Sequence, residues 1–183
     1  FNKQFFHHKG AVAAARQGDQ TNPAKASSGS QFYLVQGKVY TNEELTLDVQ
    51  KLHSMLRLYI DRSGDTVLLN ELTRLYRSGN YDAYNQKVLD SRHQVSALLG
   101  AKFDREIAPE RLQAYTTLGG APHLDDAYTV FGKVVEGLEV IDKLAGVKTG
   151  ANDRPLQDLH MTVELLPMPK KKVTEKYGYV YQD

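Results

Sequence analysis

From Thr41 to Tyr115 apolar residues return at three- and four-residue spacing, and no other feature of this 183-residue chain limits its fold as strongly. That spacing places one apolar stripe along a helix, so this stretch predicts a helical block. Thr41-Asn42-Glu43-Glu44 has the form of a capping box, in which a hydroxyl and a carboxylate satisfy each other's orphan amides at a helix start. Leu45, Val49, Leu52, Leu56 and Tyr59 then predict a helix from about Thr41 to Tyr59. Gly64-Asp65 breaks it, and Leu68, Leu72, Leu75 and Tyr76 mark a second helix ending near Gly79. Tyr81, Tyr84, Val88, Val95 and Leu99 mark a third, stopped by Gly100. Pro109 suits the first turn of a short fourth helix, Glu110 to Tyr115. The block contains no persuasive internal repeat, and its aromatic stripe reads as core rather than as a ligand cage.

Either side of the block the pattern is that of strands. Gly10-Ala11-Val12-Ala13-Ala14-Ala15-Arg16 has helix propensity, yet it is short, Gly-led and small-residued, and so also suits a tightly packed buried strand. A polar loop follows, and Ser27-Ser28-Gly29-Ser30 then empties into a strand from Gln31 to Gln36. Gln31 brings an amide into an apolar run, so it either satisfies nearby backbone or awaits a ligand. After Gly119-Gly120, Tyr128 to Gly132 predicts a short strand, and Leu138, Ile141, Leu144 and Ala145 share one face of a helix that stops near Gly146. Met161, Val163 and Leu165 alternate with His160, Thr162 and Glu164, which predicts a half-buried antiparallel strand. Lys170-Lys171-Lys172 reads as a solvated terminus rather than a docking patch.

Charge and composition set aside several functions. With 23 basic and 22 acidic residues there is no bulk attraction toward nucleic acid or an anionic membrane. No apolar run approaches the roughly 20 residues of a membrane helix. Cysteine is absent, which removes disulfides, thiolate nucleophiles and thiolate metal sites without locating the compartment. The six histidines lack metal spacing. His7 and His8 are adjacent and would point to opposite faces of a strand, while His53, His93 and His160 stand alone. Gly119-Gly120 and Gly146 do not build a phosphate loop, and no Gly-x-Ser-x-Gly elbow frames a serine. No cofactor is expected.

Two stretches together resemble a known family. Gly-Ala-Val-Ala-Ala-Ala-Arg at 10–16 and Ser-Ser-Gly-Ser-Gln-Phe-Tyr-Leu-Val at 27–35 resemble central strands of the cyclophilin-type peptidyl-prolyl cis-trans isomerases. His123-Leu124-Asp125-Asp126-Ala127-Tyr128-Thr129-Val130-Phe131-Gly132 resembles the segment that follows in that family, and Asn152-Asp153-Arg154-Pro155 its last loop. The resemblance implies a mainly β fold, an eight-stranded antiparallel barrel incomplete in this chain, carrying a block of three or four helices. It also implies a groove for Xaa-Pro peptides and, with them, unfolded protein clients as partners. Gln31 would hydrogen-bond the substrate backbone, Tyr33 and Leu124 would wall the proline pocket, and Ala15 and Arg16 would flank the peptide. Tyr128 stands where many members have histidine and His123 where some have tryptophan, so both are rim residues. Bacterial members are most similar, and on that resemblance a cell-envelope location is preferred to a cytoplasmic one.

The chain departs from the family pattern in two ways. The family's catalytic arginine, with its Phe-Met-x-Gln strand, belongs to a segment that would precede Phe6 to Arg16, and Arg16 lies on a different strand of the pattern. The sequence also opens without methionine. The expectation is therefore a piece of a longer isomerase, whose open sheet edges pair with a missing N-terminal segment or another chain. These residues alone would show negligible isomerase activity. Secondly, the helical block replaces a short loop, which is thermodynamically tolerable for a surface insertion. The expected division is barrel strands at 1–40, a helical insertion at 41–118, the barrel's C-terminal part at 119–168 and a basic, tyrosine-bearing tail at 169–183. The insertion would shape access to the proline site or recruit a client. The competing functional readings are a proline-peptide-binding module without turnover and a purely structural helical scaffold.

Overall fold

Among the described residues the helical stretch materialises as six helices where three or four were expected, and four of the six open on a side-chain cap. A computed structural model describes residues 2–181, and the chain divides into two units, one formed by residues up to 39 and from 113 onward, the other by residues 40–112.

In the second unit, α1 (Asn42–Thr46) opens on the capping box: Glu44 N–H donates to Thr41 Oγ1 at 3.2 Å and Thr41 N–H to Glu44 Oε2 at 2.8 Å. The helix expected to reach Tyr59 unbroken stops here. Leu47 is extended and forms an isolated bridge with Asp104, while Asp48 N–H donates to the Phe103 carbonyl at 2.7 Å. The Asp48 carboxylate then accepts from Lys51 N–H and starts α2 (Val49–Ser63) afresh. Gly64, at φ 66°, ends α2 in a left-handed turn, and Asp65 caps α3 (Thr66–Arg77). The third expected helix is also two, α4 (Tyr81–Asp90) and α5 (Arg92–Leu99), divided at buried Ser91, whose hydroxyl donates to the Val88 carbonyl at 2.7 Å. Leu52, Leu56, Tyr59, Leu72, Val88 and Val95 form the heart of this unit's core. Each buried aliphatic side chain contributes on the order of 1.5–3 kcal/mol. A further helix, α6 (Pro109–Thr117), carries Tyr115 in its second half.

The first unit holds a three-stranded antiparallel sheet with strand order β2-β1-β3: β1 (Ala11–Ala14), β2 (Phe32–Leu34) and β3 (Val130–Lys133). Ala13 pairs with Tyr33 and with Val130, and the register shifts by a bulge between Val12 and Ala13. Ala11 and Ala13 are fully buried. Their small side chains leave room on that face for Tyr33, which packs with Leu124 and Val130 against Ala11, Val35 and Ala121. Beyond the sheet lie α7 (Leu138–Ala145), with Ile141 buried, and α8 (Lys170–Tyr177), which exposes its lysines.

The expectation of a mainly β fold is overturned. Among the described residues there are eight α-helices against three strands of three or four residues, and the sheet is open, not an eight-stranded barrel. The expected strand at Met161, Val163 and Leu165 makes no ladder, and those side chains are exposed. Alternation alone does not make a strand, since its backbone groups also need an edge to pair with.

Candidate functional site

The sheet sets out the expected groove residues in two groups. Ala15 follows β1 and Gln31 precedes β2, and Ala15 N–H donates to the Gln31 carbonyl at 3.1 Å, which holds the two side by side. Together with Tyr33, Leu34, Ile141 and Met161 they line an open cleft of about 640 Å³. The Gln31 side chain is exposed, and among the described residues its amide makes no hydrogen bond.

The second group surrounds the Tyr33 ring. Tyr128 stands edge-on to Tyr33, with centroids 6.1 Å apart at 82°, and the Arg16 guanidinium lies 4.6 Å from the Tyr128 ring centroid. Arg16 is pinned there by Nε donation to the Ala127 carbonyl at 2.7 Å and by Nη1 donation to the Gln17 carbonyl at 2.9 Å and to Asp19 at 2.6 Å. Its guanidinium holds the Asp19 carboxyl below the usual carboxylate range. Leu124 ends a 3₁₀ turn, Pro122–Leu124, and packs on the same small core as Tyr33. His123, on that turn, is exposed and joins none of these contacts.

Three residues of the site were not singled out in the sequence. His7 is buried, with 1% of its surface exposed. Its backbone N–H and its ring Nδ1 both lie 2.9 Å from Asp125 Oδ1, and Asp125 Oδ2 accepts from the Tyr115 hydroxyl at 2.7 Å. On the other side, His7 Nε2 lies 3.2 Å from the Tyr33 hydroxyl, the two rings stacked at 13° with centroids 6.2 Å apart. Burial pushes the Tyr33 phenol up to about 12, helped by neighbouring Tyr128, so the hydroxyl keeps its proton. His8 faces elsewhere: its Nδ1 meets the Lys9 carbonyl at 2.7 Å and its ring meets Phe6 edge-on. No sequence signal pairs His7 with Asp125, because 118 residues separate them.

A glycine pair locks this network to the sheet. Ala121 N–H donates to the His7 carbonyl at 2.8 Å, Lys9 N–H to the Gly119 carbonyl at 2.9 Å, and Gly120 and Lys38 exchange backbone hydrogen bonds in both directions. Such close approach leaves no room for a Cβ at Gly120, whose φ is 152°. Among the described residues no three of His, Cys, Asp and Glu gather at metal-binding distance.

A family model described as cyclophilin type peptidyl-prolyl cis-trans isomerase/CLD matches residues 48–164. The chain belongs to this family. Of the expected groove residues, His123, Leu124 and Tyr128 lie inside the matched span, and Ala15, Arg16, Gln31 and Tyr33 outside it. The chain is 50% identical over 48 residues to a putative bifunctional phosphatase/peptidyl-prolyl cis-trans isomerase of Streptococcus pyogenes serotype M6, covering 25% of this chain and 10% of that one. It is 43% identical over 49 residues to peptidyl-prolyl cis-trans isomerase CYP18-1 of Arabidopsis thaliana, and 48% identical over 50 residues to peptidyl-prolyl cis-trans isomerase-like 3 of Homo sapiens. In both cases the match covers 27% of this chain and 31% of the relative. The matches thus take in between a tenth and about a third of these relatives' length. No solved structure matches the chain.

Proposed function

We propose that the protein is a peptidyl-prolyl cis-trans isomerase acting on Xaa-Pro segments of incompletely folded clients. The observation that carries this reading is the unbonded Gln31 amide standing beside Tyr33 at one cleft, in a chain of the cyclophilin family. Turning an Xaa-Pro bond breaks no covalent bond. It has to surmount a barrier of about 18–20 kcal/mol that arises from amide resonance. A site lowers that barrier by binding the twisted amide better than the planar one. Tyr33 and Leu124 grip the pyrrolidine ring, Gln31 takes the substrate backbone, and Ala15, small and flanking, lets the peptide lie close. Arg16 acts through Tyr128, which it holds against Tyr33, and His123 lies at the rim.

The test is titration of the ¹⁵N-labelled full chain with the peptide Ala-Ala-Pro-Phe, combined with exchange spectroscopy across its prolyl bond. The expected result is movement of the Gln31 side-chain amide and accelerated cis-trans exchange, both lost in Gln31→Ala; this departs from the negligible activity expected without the family's arginine, because in this proposal Gln31, Tyr33 and Leu124 by themselves favour the twisted amide. Binding without acceleration would instead identify a proline-peptide-binding module, and no movement at Gln31 would overturn the reading.

The helical unit has a separate role in this proposal, as an insertion that recruits clients. Between α2, α3 and α4 runs a groove of about 610 Å³ whose apolar floor includes Leu56, Ile60 and Leu72. Tyr76 and Tyr84 stand along it, and Arg57 and Arg77, which form no ion pair among the described residues, outnumber the one carboxylate of its lining, Asp61, and leave it a small positive charge. Such a surface suits an aromatic, acidic stretch of client chain. Arg57→Glu with Arg77→Glu should weaken capture of an unfolded acidic client while leaving affinity for Ala-Ala-Pro-Phe unchanged. Equal capture by the double variant would refute this role.

A further inference from the structure

We propose that His7 is a positioning residue for the proline pocket: it takes the Tyr33 hydroxyl on Nε2, so that a tyrosine wall offers the substrate ring carbon instead of a polar tip. The inference rests on the reading of Tyr33 as part of that pocket. A phenol lining an apolar pocket has a drawback, because its hydroxyl competes for water or for the substrate carbonyl unless something else satisfies it.

The geometry around His7 is built to do so. Asp125 Oδ1 receives both the His7 backbone N–H and ring Nδ1, which places the ring proton on Nδ1 and leaves Nε2 as a bare acceptor. Tyr115 fixes the carboxylate from its other oxygen, so Asp125 does not turn away. Nε2 then faces the Tyr33 hydroxyl at 3.2 Å, and that hydroxyl, being protonated, donates. Tyr128 meets both rings edge-on, 6.5 Å from His7 and 6.1 Å from Tyr33, which leaves neither free to swing. His7 itself is too deeply buried to touch a substrate, so its effect passes through Tyr33.

The prediction is a specific pattern of rescue. His7→Phe keeps an aromatic ring in place but frees the Tyr33 hydroxyl, and affinity for Ala-Ala-Pro-Phe should fall about ten-fold, the usual scale for an unpaired polar group in an apolar site. Adding Tyr33→Phe removes the freed hydroxyl, so the double variant should recover at least half of that loss on a logarithmic scale. A purely structural role for His7 predicts no recovery, and a double variant as weak as His7→Phe overturns the proposal. Should His7→Phe not fold, ¹⁵N spectra of the unaltered protein and of Tyr33→Phe decide the matter. The expected result is an Nδ1–H tautomer whose Nε2 resonance moves when the hydroxyl is removed. An Nε2–H tautomer, or an unmoved resonance, overturns the proposal. These spectra need no substrate, so they separate failure of this inference from failure of the isomerase reading, which would show as absent peptide binding in the unaltered protein.

Discussion

A single carboxylate oxygen of Asp125 receives both the backbone N–H and the ring Nδ1 of His7, each at 2.9 Å, across 118 residues of sequence. Removing that carboxylate would strand two buried donors on His7 and take one acceptor from the Tyr115 hydroxyl. Each orphaned buried group costs about 1–3 kcal/mol, so Asp125→Ala should destabilise the protein by about 3 kcal/mol in chemical denaturation. Asp125→Asn keeps an acceptor toward His7 and an amide that Tyr115 can accept from, so its loss should be about 1 kcal/mol. Equal losses in the two variants would show that shape, not hydrogen bonding, holds His7.

How far the sequence reveals such features depends on how local their causes are. Helices were legible in the spacing of Leu52, Leu56 and Tyr59 because their contacts lie three and four residues apart. Their breaks at Leu47 and Ser91 were not, since the first is set by backbone bonding of Asp48 to Phe103, over fifty positions away, and the second by a small residue buried at a helix junction. Strand positions near Ala11–Ala14, Phe32–Leu34 and Val130–Lys133 were legible from composition. The barrel was not a local property: it came from resemblance, and the alternating Met161 to Leu165 has no edge to join among the described residues. At the site, Gln31 stands out as a polar entry to an apolar strand. His7, Asp125 and Tyr115 carry no local mark, because only the fold brings them together.

Gly120 tests the backbone that carries this network. A Cβ there would collide with the His7 carbonyl oxygen and sit 2.7 Å from Tyr115 Cε1 and 2.8 Å from His8 Cα. None of these is the loose end of a flexible chain, and a φ of 152° is itself unfavourable for alanine. Gly120→Ala should cost about 3 kcal/mol in denaturation. Gly64→Ala, where a Cβ meets open space and only the left-handed φ is strained, should cost about 1 kcal/mol.

His8 gives stability a pH dependence of known sign. Burial, chiefly, lowers its folded-state value below 6.5, assisted by the nearby Lys133 charge and opposed by the hydrogen bond to the Lys9 carbonyl. The unfolded chain therefore binds the proton more readily than the folded one. His8 should impose no penalty above about pH 6.5 and should destabilise progressively as the pH falls from there through its depressed folded value. Denaturation midpoints measured from pH 7.5 to 4.5 should fall less steeply in His8→Gln than in the unaltered protein. Parallel curves would remove His8 as the cause.

Leu52 is completely buried at the centre of the helical unit's core. Truncation to alanine loses its transfer free energy and leaves a cavity that the surrounding helices fill only in part. Leu52→Ala should destabilise by about 3 kcal/mol, with amide exchange in α2 and α5 accelerating most. Val67→Ala, at a position 76% exposed, should change stability by less than about 0.5 kcal/mol.

Arg16 combines three functions that a simple cation cannot. Its guanidinium covers the Tyr128 ring, its Nε reaches the Ala127 carbonyl, and its Nη1 bridges to Asp19, while only 5% of the side chain is exposed. Lysine keeps the charge and loses the planar fork, and methionine loses both. Stability should therefore fall in steps, by about 1 kcal/mol in Arg16→Lys and about 2 kcal/mol in Arg16→Met. The Asp19 carboxyl offers a local readout: it should return toward its ordinary range in Arg16→Met, followed by carbonyl ¹³C titration. If Tyr128 owes its place beside Tyr33 to the fork, both variants should weaken Ala-Ala-Pro-Phe binding, with methionine the weaker binder. Arg16→Lys binding as tightly as the unaltered protein would show that charge alone suffices and that Tyr128 is held by packing.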